Sequence, residues 1–204
     1  MAGLLLPAAM GFPGCVAGVD EAGRGPLAGP VVAAAVVLRG GSLPKGLKDS
    51  KILSAARREA LRASLAECAD IGIGQASVEE IDTLNIHWAT MLAMERAVLA
   101  LVAVLCREPD HVLVDGNRLP RWQRAATALV KGDGRCLSIA AASIIAKTER
   151  DGLMAALDAE CPGYGWACNQ GYGTAEHGAA LERLGATAHH RRSFAPVARV
   201  LERG

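Results

Sequence analysis

Four acidic residues stand where a folded chain could bring their carboxylates together. Asp20 and Glu21 directly follow a short apolar stretch, and Asp115 ends another. Asp151 lies on a predicted helix whose preceding turns are apolar. Strand ends meet at one edge of a sheet, and a helix packed across that sheet can present a further side chain there. Carboxylates held close together repel one another unless a cation neutralises them, and Mg²⁺ or Mn²⁺ prefers oxygen ligands.

A cation site of this kind would suit phosphodiester hydrolysis. Two divalent ions about 4 Å apart could flank a phosphodiester, one activating water and the other stabilising the leaving 3′ oxygen. The alternative is that each acid has an ordinary structural role, since an Asp after a strand is commonly a turn residue. Residue types and spacing alone leave both interpretations open.

The elements that must position these residues alternate between strands and helices. The patterns predict strands at residues 15–19, 31–38, 71–76, 111–114 and 125–130, and helices at residues 55–68, 87–107, 138–160 and from about 175. The uninterrupted apolar run at residues 31–38 is typical of a central strand covered on both faces. Ser77 and Glu80 have the spacing of a capping box and open a further short helix. This alternation indicates an α/β fold.

Length and composition indicate one domain without a membrane anchor. The chain has 204 residues, of which 51% are hydrophobic and 3% aromatic, and a net charge of +1 that neither requires nor excludes nucleic acid. The six cysteines show no CxxC spacing, which is typical of reduced thiols in a cytoplasmic protein. No apolar run reaches the ~20 residues that span a bilayer. Residues 1–13 resemble no signal peptide, so we expect a flexible or loosely docked N-terminus before a single domain at residues 14–204.

The residues around Asp20 form a longer and more specific motif. Residues 18–31 read GVDEAGRGPLAGPV, which resembles the opening block of bacterial type 2 ribonucleases H (RNase HII). Further matching segments follow in the family's order: LKDSK at 47–51, VDGN at 114–117, KGD at 131–133, AASIIAK at 141–147 with Arg150-Asp151, and GYGT at 171–174 with His177. Together the segments cover about residues 14–197, which is nearly the whole chain.

The resemblance implies a fold, a metal centre and a substrate. The fold would be RNase H-like, a mixed β-sheet flanked by helices with a small C-terminal helical part from about residue 160. The metal ligands and catalytic residues would be Asp20, Glu21, Asp115 and Asp151, holding Mn²⁺ or Mg²⁺, with a two-ion site expected. The resemblance further implies that Gly23, Arg24 and Gly25, with Tyr172, recognise a ribonucleotide joined to a deoxyribonucleotide.

Elementary chemistry is consistent with those roles. Glycines let backbone groups approach a sugar closely, where the 2′-OH can act as both donor and acceptor. Tyr172 could lie against the sugar of the next nucleotide, where a 2′-OH would clash. The alternatives are a tight turn for the glycines and a packed aromatic residue for Tyr172.

Several polar residues are candidates for phosphate contacts. Lys48, Lys51 and Lys147 could each serve as a point charge without sequence information, although an exposed Lys is often merely solvated. Ser143 falls four residues before Lys147 and eight before Asp151, on one helix face, and it too could bind phosphate. Residues 189–192 form a basic patch that could extend the duplex track or be plain surface.

We therefore expect hydrolysis on the 5′ side of a ribonucleotide, leaving 3′-OH and 5′-phosphate ends. Substrates would be RNA–DNA hybrids and duplex DNA with embedded ribonucleotides. We expect a cytoplasmic monomer, no membrane partner, and no clamp-binding tail after residues 194–197. The rival functions are a type 3 ribonuclease H, a hybrid-binding module without catalysis, and a metal-dependent phosphatase on a similar sheet.

The chain departs from the family pattern at two basic positions and at Ala167-Cys168, before the tyrosine motif, for which the sequence offers no explanation. Gln170 stands where a Lys is frequent, and Ile52 follows Lys51 where a second basic residue is common. Both changes are expected to weaken binding to the phosphate backbone and its salt dependence, leaving the chemistry intact.

Overall fold

A five-stranded mixed sheet forms the centre of the computed structural model, which describes residues 4–40, 43–47 and 50–203. The strands are β1 (Val16–Ala22), β2 (Val31–Leu38), β3 (Ala69–Ala76), β4 (His111–Asp115) and β5 (Ala126–Leu129), in the spatial order β3-β2-β1-β4-β5. Strand β2 is antiparallel to β1 and β3, whereas β4 runs parallel to β1 and β5 parallel to β4. The sheet confirms the mixed α/β fold expected from the sequence.

Helices cover both faces of this sheet. They are α1 (Ala55–Cys68), α2 (Val78–Leu105), α3 (Leu137–Glu160), α4 (Trp166–Asn169), α5 (Ala175–Leu184) and α6 (Ala195–Leu201), with short 3-10 helices at Pro7–Met10, Ser50–Ile52 and Gly132–Gly134. Helix α6 was not expected from the sequence pattern. Helix α2 is interrupted at Asn85, whose φ of 68° is left-handed, so the two predicted helices are joined by a kink. Asn85 Oδ1 accepts the backbone N–H of His87 at 3.0 Å and thereby caps the second part.

Alternation along β1 sends neighbouring residues to opposite faces. Ala17 and Val19 pack with the buried residues of α2. Gly18 faces α3, and a Cβ at that position would overlap the backbone of Ser138. Asp20 therefore continues the α3 face and Glu21 the α2 face, which places the two acids on opposite sides of one strand end.

Helix α2 is the one helix in the described part of the chain that is long and apolar enough to cross a membrane by length and composition. It packs instead on the sheet, where Ala93, Ala97 and Leu101 are fully buried. Gly72 and Gly74 of β3 allow this close approach, because a Cβ at either position would overlap the helix backbone. We conclude that α2 is the core helix of this domain.

The described residues of the N-terminal segment lie against the domain. Leu5 forms a β-bridge with Cys136, its N–H donating to Arg135 O at 3.0 Å and its carbonyl accepting from Leu137 N at 2.9 Å. Phe12 packs beside Val16 and Leu113. Of the two states expected from the sequence, flexible or loosely docked, these contacts correspond to a docked segment.

The C-terminal helices pack onto the loop that joins β1 to β2. Ala28 of that loop is buried with Tyr164 and Trp166, and Leu27 is buried with Leu181 and Val197. Leu27 N also donates to Gly171 O at 2.7 Å. The β1–β2 loop is thus held by elements far away in the sequence.

Candidate active site

The ends of β1 and β4 bring two of the predicted acids side by side. Val19 pairs with Val114 in parallel register, so Asp20 and Asp115 are the next residues of neighbouring strands. Asp20 is buried and its Oδ1 accepts the backbone N–H of Glu21 at 2.7 Å. Asp115 Oδ1 accepts the N–H of Gly132 at 2.6 Å. Backbone amides therefore fix one oxygen of each carboxylate.

Repulsion and burial dominate the electrostatics of this strand edge. Burial first, and then the charges of Glu21 and Asp115, raise the pKa of Asp20 well above its ordinary value, although a hydrogen bond with Ser143 opposes the shift. Burial likewise raises the pKa of Glu21; Arg24, in a 3.3 Å ion pair, opposes this rise, and Asp115 adds to it. Hard divalent cations prefer oxygen ligands, and such a cation would relieve the repulsion between these buried carboxylates.

Asp151 does not join this group. Its carboxylate forms ion pairs with Lys147 Nζ at 2.6 Å and with Arg58 Nη2 at 3.0 Å. It lies eight residues, or about 12 Å along α3, beyond Ser143, the residue that contacts Asp20. Within the described residues no three Asp, Glu, His or Cys side chains are arranged to hold a metal ion. The structure therefore brings Asp20, Glu21 and Asp115 to one strand edge, without a complete three-ligand geometry, and leaves Asp151 paired with two cations.

Another acid, Asp133, lies closer to Asp115. It belongs to the Gly132–Gly134 3-10 helix, and its backbone N is 3.4 Å from Asp115 Oδ1. A Cβ at Gly132 would come within 2.6 Å of Ile139 Cδ1, so a side chain at this position would require Ile139 to move. Sequence reasoning noted the Lys131-Gly132-Asp133 segment without giving its acid a role. The signal was available, because that segment follows strand β5 at the same sheet edge.

A cavity of about 190 Å³ opens beside Glu21 and collects most of the predicted substrate residues. It is lined by Glu21, Ala22, Gly23, Arg24, Gly25, Ser50, Ser143, Lys147, Arg150 and Tyr172. We call this space the ribose cavity. The β1–β2 loop, α3 and the Tyr172 loop each supply one wall, so residues separated by as many as 150 positions share one site.

Tyr172 and Gly25 meet across the ribose cavity. The Tyr172 side chain is exposed, and a Cβ on residue 25 would lie 3.3 Å from Tyr172 Cε1. The absence of a side chain at Gly25 therefore lets the backbone of this loop lie directly beside the Tyr172 ring, whose remaining face is exposed.

The polar residues predicted to contact phosphate divide into two groups. Ser143 Oγ is 2.8 Å from Ser50 Oγ in the cavity wall, and Lys147 lies one turn further along α3. Lys48 lies outside the described residues, as does the side chain of Lys51. Of the same sequence motif, Ser50 lines the cavity.

A second polar cavity of about 190 Å³ lies on the α2 side of Glu21. It is lined by Glu21, Arg24, His87, Met91, Met94, Asp115, Gly116, Asn117 and Arg118. Sequence reasoning gave His87 and Arg118 no role. Their signal was weak, because neither belongs to a glycine-rich or acidic motif.

The basic patch expected at residues 189–192 is largely not a surface. His190 and Arg191 are fully buried, and the Arg191 guanidinium hydrogen-bonds backbone carbonyls of the β1–β2 loop. His177 is also buried, where Trp166 Nε1 donates to its Nε2 at 3.1 Å. This network gives His177 a structural role.

The two departures from the family pattern occupy different environments. Gln170 is the left-handed C-cap of α4, and its Nε2 donates to Ala167 O at 2.8 Å, so it closes a turn. Ile52 is 69% exposed and makes no contribution to the core.

Comparisons with a family model and with individual relatives both identify the ribonuclease HII family. The family model described as Ribonuclease HII matches residues 17–197. Ribonuclease HII of Rhizorhabdus wittichii is 59% identical over 198 residues, 97% of this chain and 96% of the relative. The crystal structure of ribonuclease H2 from Pyrococcus horikoshii superposes with a TM-score of 0.75 at 27% identity, covering 92% of this chain and 97% of that one. Bst-RNase HIII, solved in complex with Mn²⁺, shares the fold at 20% identity with a TM-score of 0.75, over 92% of this chain and 69% of its own.

Proposed function

Because the chain belongs to the ribonuclease HII family, and so is a metal-dependent ribonuclease H acting on RNA–DNA hybrids, we propose that it also cuts on the 5′ side of single ribonucleotides embedded in duplex DNA. The products would carry 3′-OH and 5′-phosphate ends. The observation that carries this proposal is the ribose cavity, which joins Glu21 of the acidic strand edge to Gly23, Gly25 and Tyr172.

The acidic strand edge would hold the metal. Asp20, Glu21 and Asp115 would bind Mg²⁺ or Mn²⁺, and the buried, mutually repelling state of these acids supports this assignment. A pair of such ions, when bound, supplies an activated water and stabilises the leaving 3′ oxygen. The Mn²⁺ bound by Bst-RNase HIII supports a metal of this type.

For the fourth carboxylate we propose Asp133 in place of Asp151. Asp133 follows the residue whose amide binds Asp115, whereas Asp151 is already neutralised by Lys147 and Arg58. In this arrangement Asp151 holds Lys147 beside the ribose cavity. Our sequence prediction of Asp151 as a ligand remains the competing assignment.

Paired variants separate these two assignments. Asp133→Asn should reduce metal-dependent cutting by about a thousandfold, as expected for loss of a metal ligand, and should raise the metal concentration needed for half activity. Asp151→Asn should retain cutting with an unchanged metal requirement and a weaker affinity for duplex. The reverse pattern would assign the fourth ligand to Asp151.

The walls of the ribose cavity would select the substrate. Backbone groups of residues 23–25 would contact the 2′-OH, which is the group that distinguishes RNA from DNA. Tyr172 would lie against the following deoxyribose, and Lys147 would contact a phosphate. Ser143 would hold Asp20 through the hydrogen bond between their side chains.

The experiment is incubation with a duplex that carries one ribonucleotide. The expected result is a single nick in Mg²⁺ or Mn²⁺ and none in EDTA, with a duplex made wholly of DNA left intact. Binding without any nick in metal would instead support a hybrid-binding module. Cutting of the all-DNA duplex at a similar rate would show that the 2′-OH is not recognised.

We further propose that the protein works in the cytoplasm as a monomer and that its residues 194–197 do not bind a sliding clamp. Val197 is fully buried against Leu27 and Leu181, which supports a structural role for the segment at residues 194–197. Light scattering of the purified protein, alone and with a sliding clamp, tests this. A dimer mass or a stable clamp complex would contradict it.

A further inference from the structure

Two arginines that sequence reasoning gave no firm role are buried in the interior. Arg150 of α3 is 1% exposed and Arg191, which follows α5, is 0% exposed. Burial lowers the pKa of Arg150 to about 10 and that of Arg191 to about 9. Within the described residues neither guanidinium forms a salt bridge, so each charge is compensated mainly by carbonyl dipoles. Burial of a guanidinium destabilises the folded state unless its N–H donors form hydrogen bonds.

Arg191 uses its donors on the β1–β2 loop. Its Nη2 donates to Gly23 O at 2.6 Å and to Gly29 O at 2.8 Å, and its Nη1 donates to Arg24 O at 3.0 Å. Its Nε donates to Gly29 O at 3.0 Å. One guanidinium thus ties both ends of the loop together.

Arg150 joins the same loop to the segment that carries Tyr172. Its Nη2 donates to Ala28 O at 3.0 Å, its Nε to Pro30 O at 3.0 Å and its Nη1 to Gln170 O at 2.9 Å. Gln170 stands two residues before Tyr172. The Arg150 guanidinium therefore hydrogen-bonds to two walls of the ribose cavity, the β1–β2 loop and the Tyr172 loop.

The loops fit so closely around these arginines that side chains are excluded. A Cβ at Gly23, where φ is +96°, would overlap Arg150 Nε. A Cβ at Gly171, where φ is +78°, would lie 2.7 Å from Ala28 O. The glycines at these positions are thus required by the arginine beneath and by the neighbouring loop.

The Arg191 contacts also fix the direction of two backbone amides. In a trans peptide the C=O of one residue points away from the N–H of the next, and the described backbone contains no cis bond. With Gly23 O and Arg24 O bound by Arg191, the N–H groups of Arg24 and Gly25 point away from that buried side chain, and both residues line the ribose cavity. No hydrogen bond from either N–H is found among the described residues. Both are available donors.

We propose that Arg150 and Arg191 are positioning residues for ribose recognition, an inference that rests on the proposed function. Arg191 turns the amides of residues 24 and 25 toward the substrate, and Arg150 sets their distance from Tyr172. Arg191 does not line the ribose cavity, and Arg150, which does, is 1% exposed and directs its donors at backbone carbonyls. A pair of apolar side chains could fill the same space at lower cost, but could not orient the carbonyls.

The test uses Arg191→Lys and Arg150→Lys, which keep the charge and lose the planar fork of donors. Affinity is measured in EDTA by fluorescence anisotropy for two labelled duplexes of one sequence, with and without a single ribonucleotide. We expect the ratio of the two dissociation constants to fall about tenfold in each variant, as for loss of hydrogen bonds to a charged group. Misfolding would reduce the fraction of protein that binds either duplex by the same factor, and would leave the ratio of the two dissociation constants unchanged.

Arg39→Lys is the matched control, because Arg39 donates to Glu67 O at 3.1 Å at a distant corner of the sheet. It should keep the wild-type ratio. Kinetics of nicking provide a second readout, in which the arginine variants lower kcat/KM for the ribonucleotide duplex without changing the metal requirement. Two folded variants that retain the wild-type ratio would overturn the inference. A wild-type protein that neither nicks nor distinguishes the duplexes would overturn the proposed function itself.

Discussion

At the scale of single residues, the acids at the sheet edge, which we propose as metal ligands, are in an environment that disfavours their charged forms. Asp20 is fully surrounded by protein, and both burial and two neighbouring acids disfavour its charged form. Such a position is maintained only where the charge is used. Burial also disfavours the charged form of Glu21, but its ion pair with Arg24 opposes this effect.

We predict that Asp20→Asn abolishes cutting and stabilises the metal-free protein at neutral pH. The raised pKa means that the folded state binds a proton more tightly than the unfolded state, so stability is lost as pH rises toward the folded pKa. The Asn side chain has no charge, so the variant does not lose this stability as pH rises. Thermal melting in EDTA at pH 7 should give a higher Tm for the variant, with the exposed Glu59→Gln as an unchanged control. A lower Tm would contradict the electrostatic account.

We also predict that Tyr172→Ala affects junction substrates more than continuous hybrids. Only a junction offers a deoxyribose after the ribonucleotide, where the exposed Tyr172 ring beside Gly25 could lie. Loss of one stacking contact corresponds to about 1–3 kcal/mol, or roughly five- to hundredfold in kcat/KM. Tyr172→Phe retains the ring and should remain near wild type. Equal losses on both substrates would assign Tyr172 a general role.

At the scale of elements, a buried histidine chain connects the C-terminal helices to the Tyr172 loop. Thr187 N donates to His190 Nδ1 at 3.0 Å, which leaves the proton on His190 Nε2, 3.2 Å from His177 Nε2. His177 Nδ1 in turn contacts Tyr172 O at 2.9 Å. The neutral forms of both rings are required for this chain.

The histidine chain makes stability depend on pH in acid. Burial first, and then His177 and His189, lower the pKa of His190 to about 4. The unfolded state therefore binds the proton more readily, and this contribution to stability, full above pH ~6.5, is lost as pH falls toward 4. The urea midpoint of the wild type should fall more steeply over this range than that of His190→Gln. Parallel curves would contradict the assignment.

At the scale of the whole molecule, the sequence predicted what local patterns determine. The bounds of β2 and α1 agree with the apolar run and with the Ser54 cap. The capping box at Ser77 is present. These features depend on neighbours within a few residues, so a single sequence carries them.

Features that depend on distant parts of the chain were missed. Arg191 looked like surface because its partners, the carbonyls of Gly23 and Arg24, are about 170 residues away and leave no sequence signal. The ion pair of Asp151 with Arg58, 93 residues away, likewise leaves no sequence signal, whereas Lys147 is recognisable from its i−4 spacing on the same helix. The proximity of Asp133 to Asp115 arises from the pairing of β4 with β5, although the position of its segment after the predicted strand at residues 125–130 was a usable signal.

The central claim is that the ribose cavity places the cut relative to a single ribonucleotide. Its most direct test is to map the nick in a set of DNA duplexes that differ only in the position of that ribonucleotide. In Mg²⁺ or Mn²⁺ the 3′-OH end should always stop at the nucleotide immediately 5′ of the ribonucleotide and should move with it, residue for residue. A nick that stays in place when the ribonucleotide moves, or that falls on its 3′ side, would contradict the account.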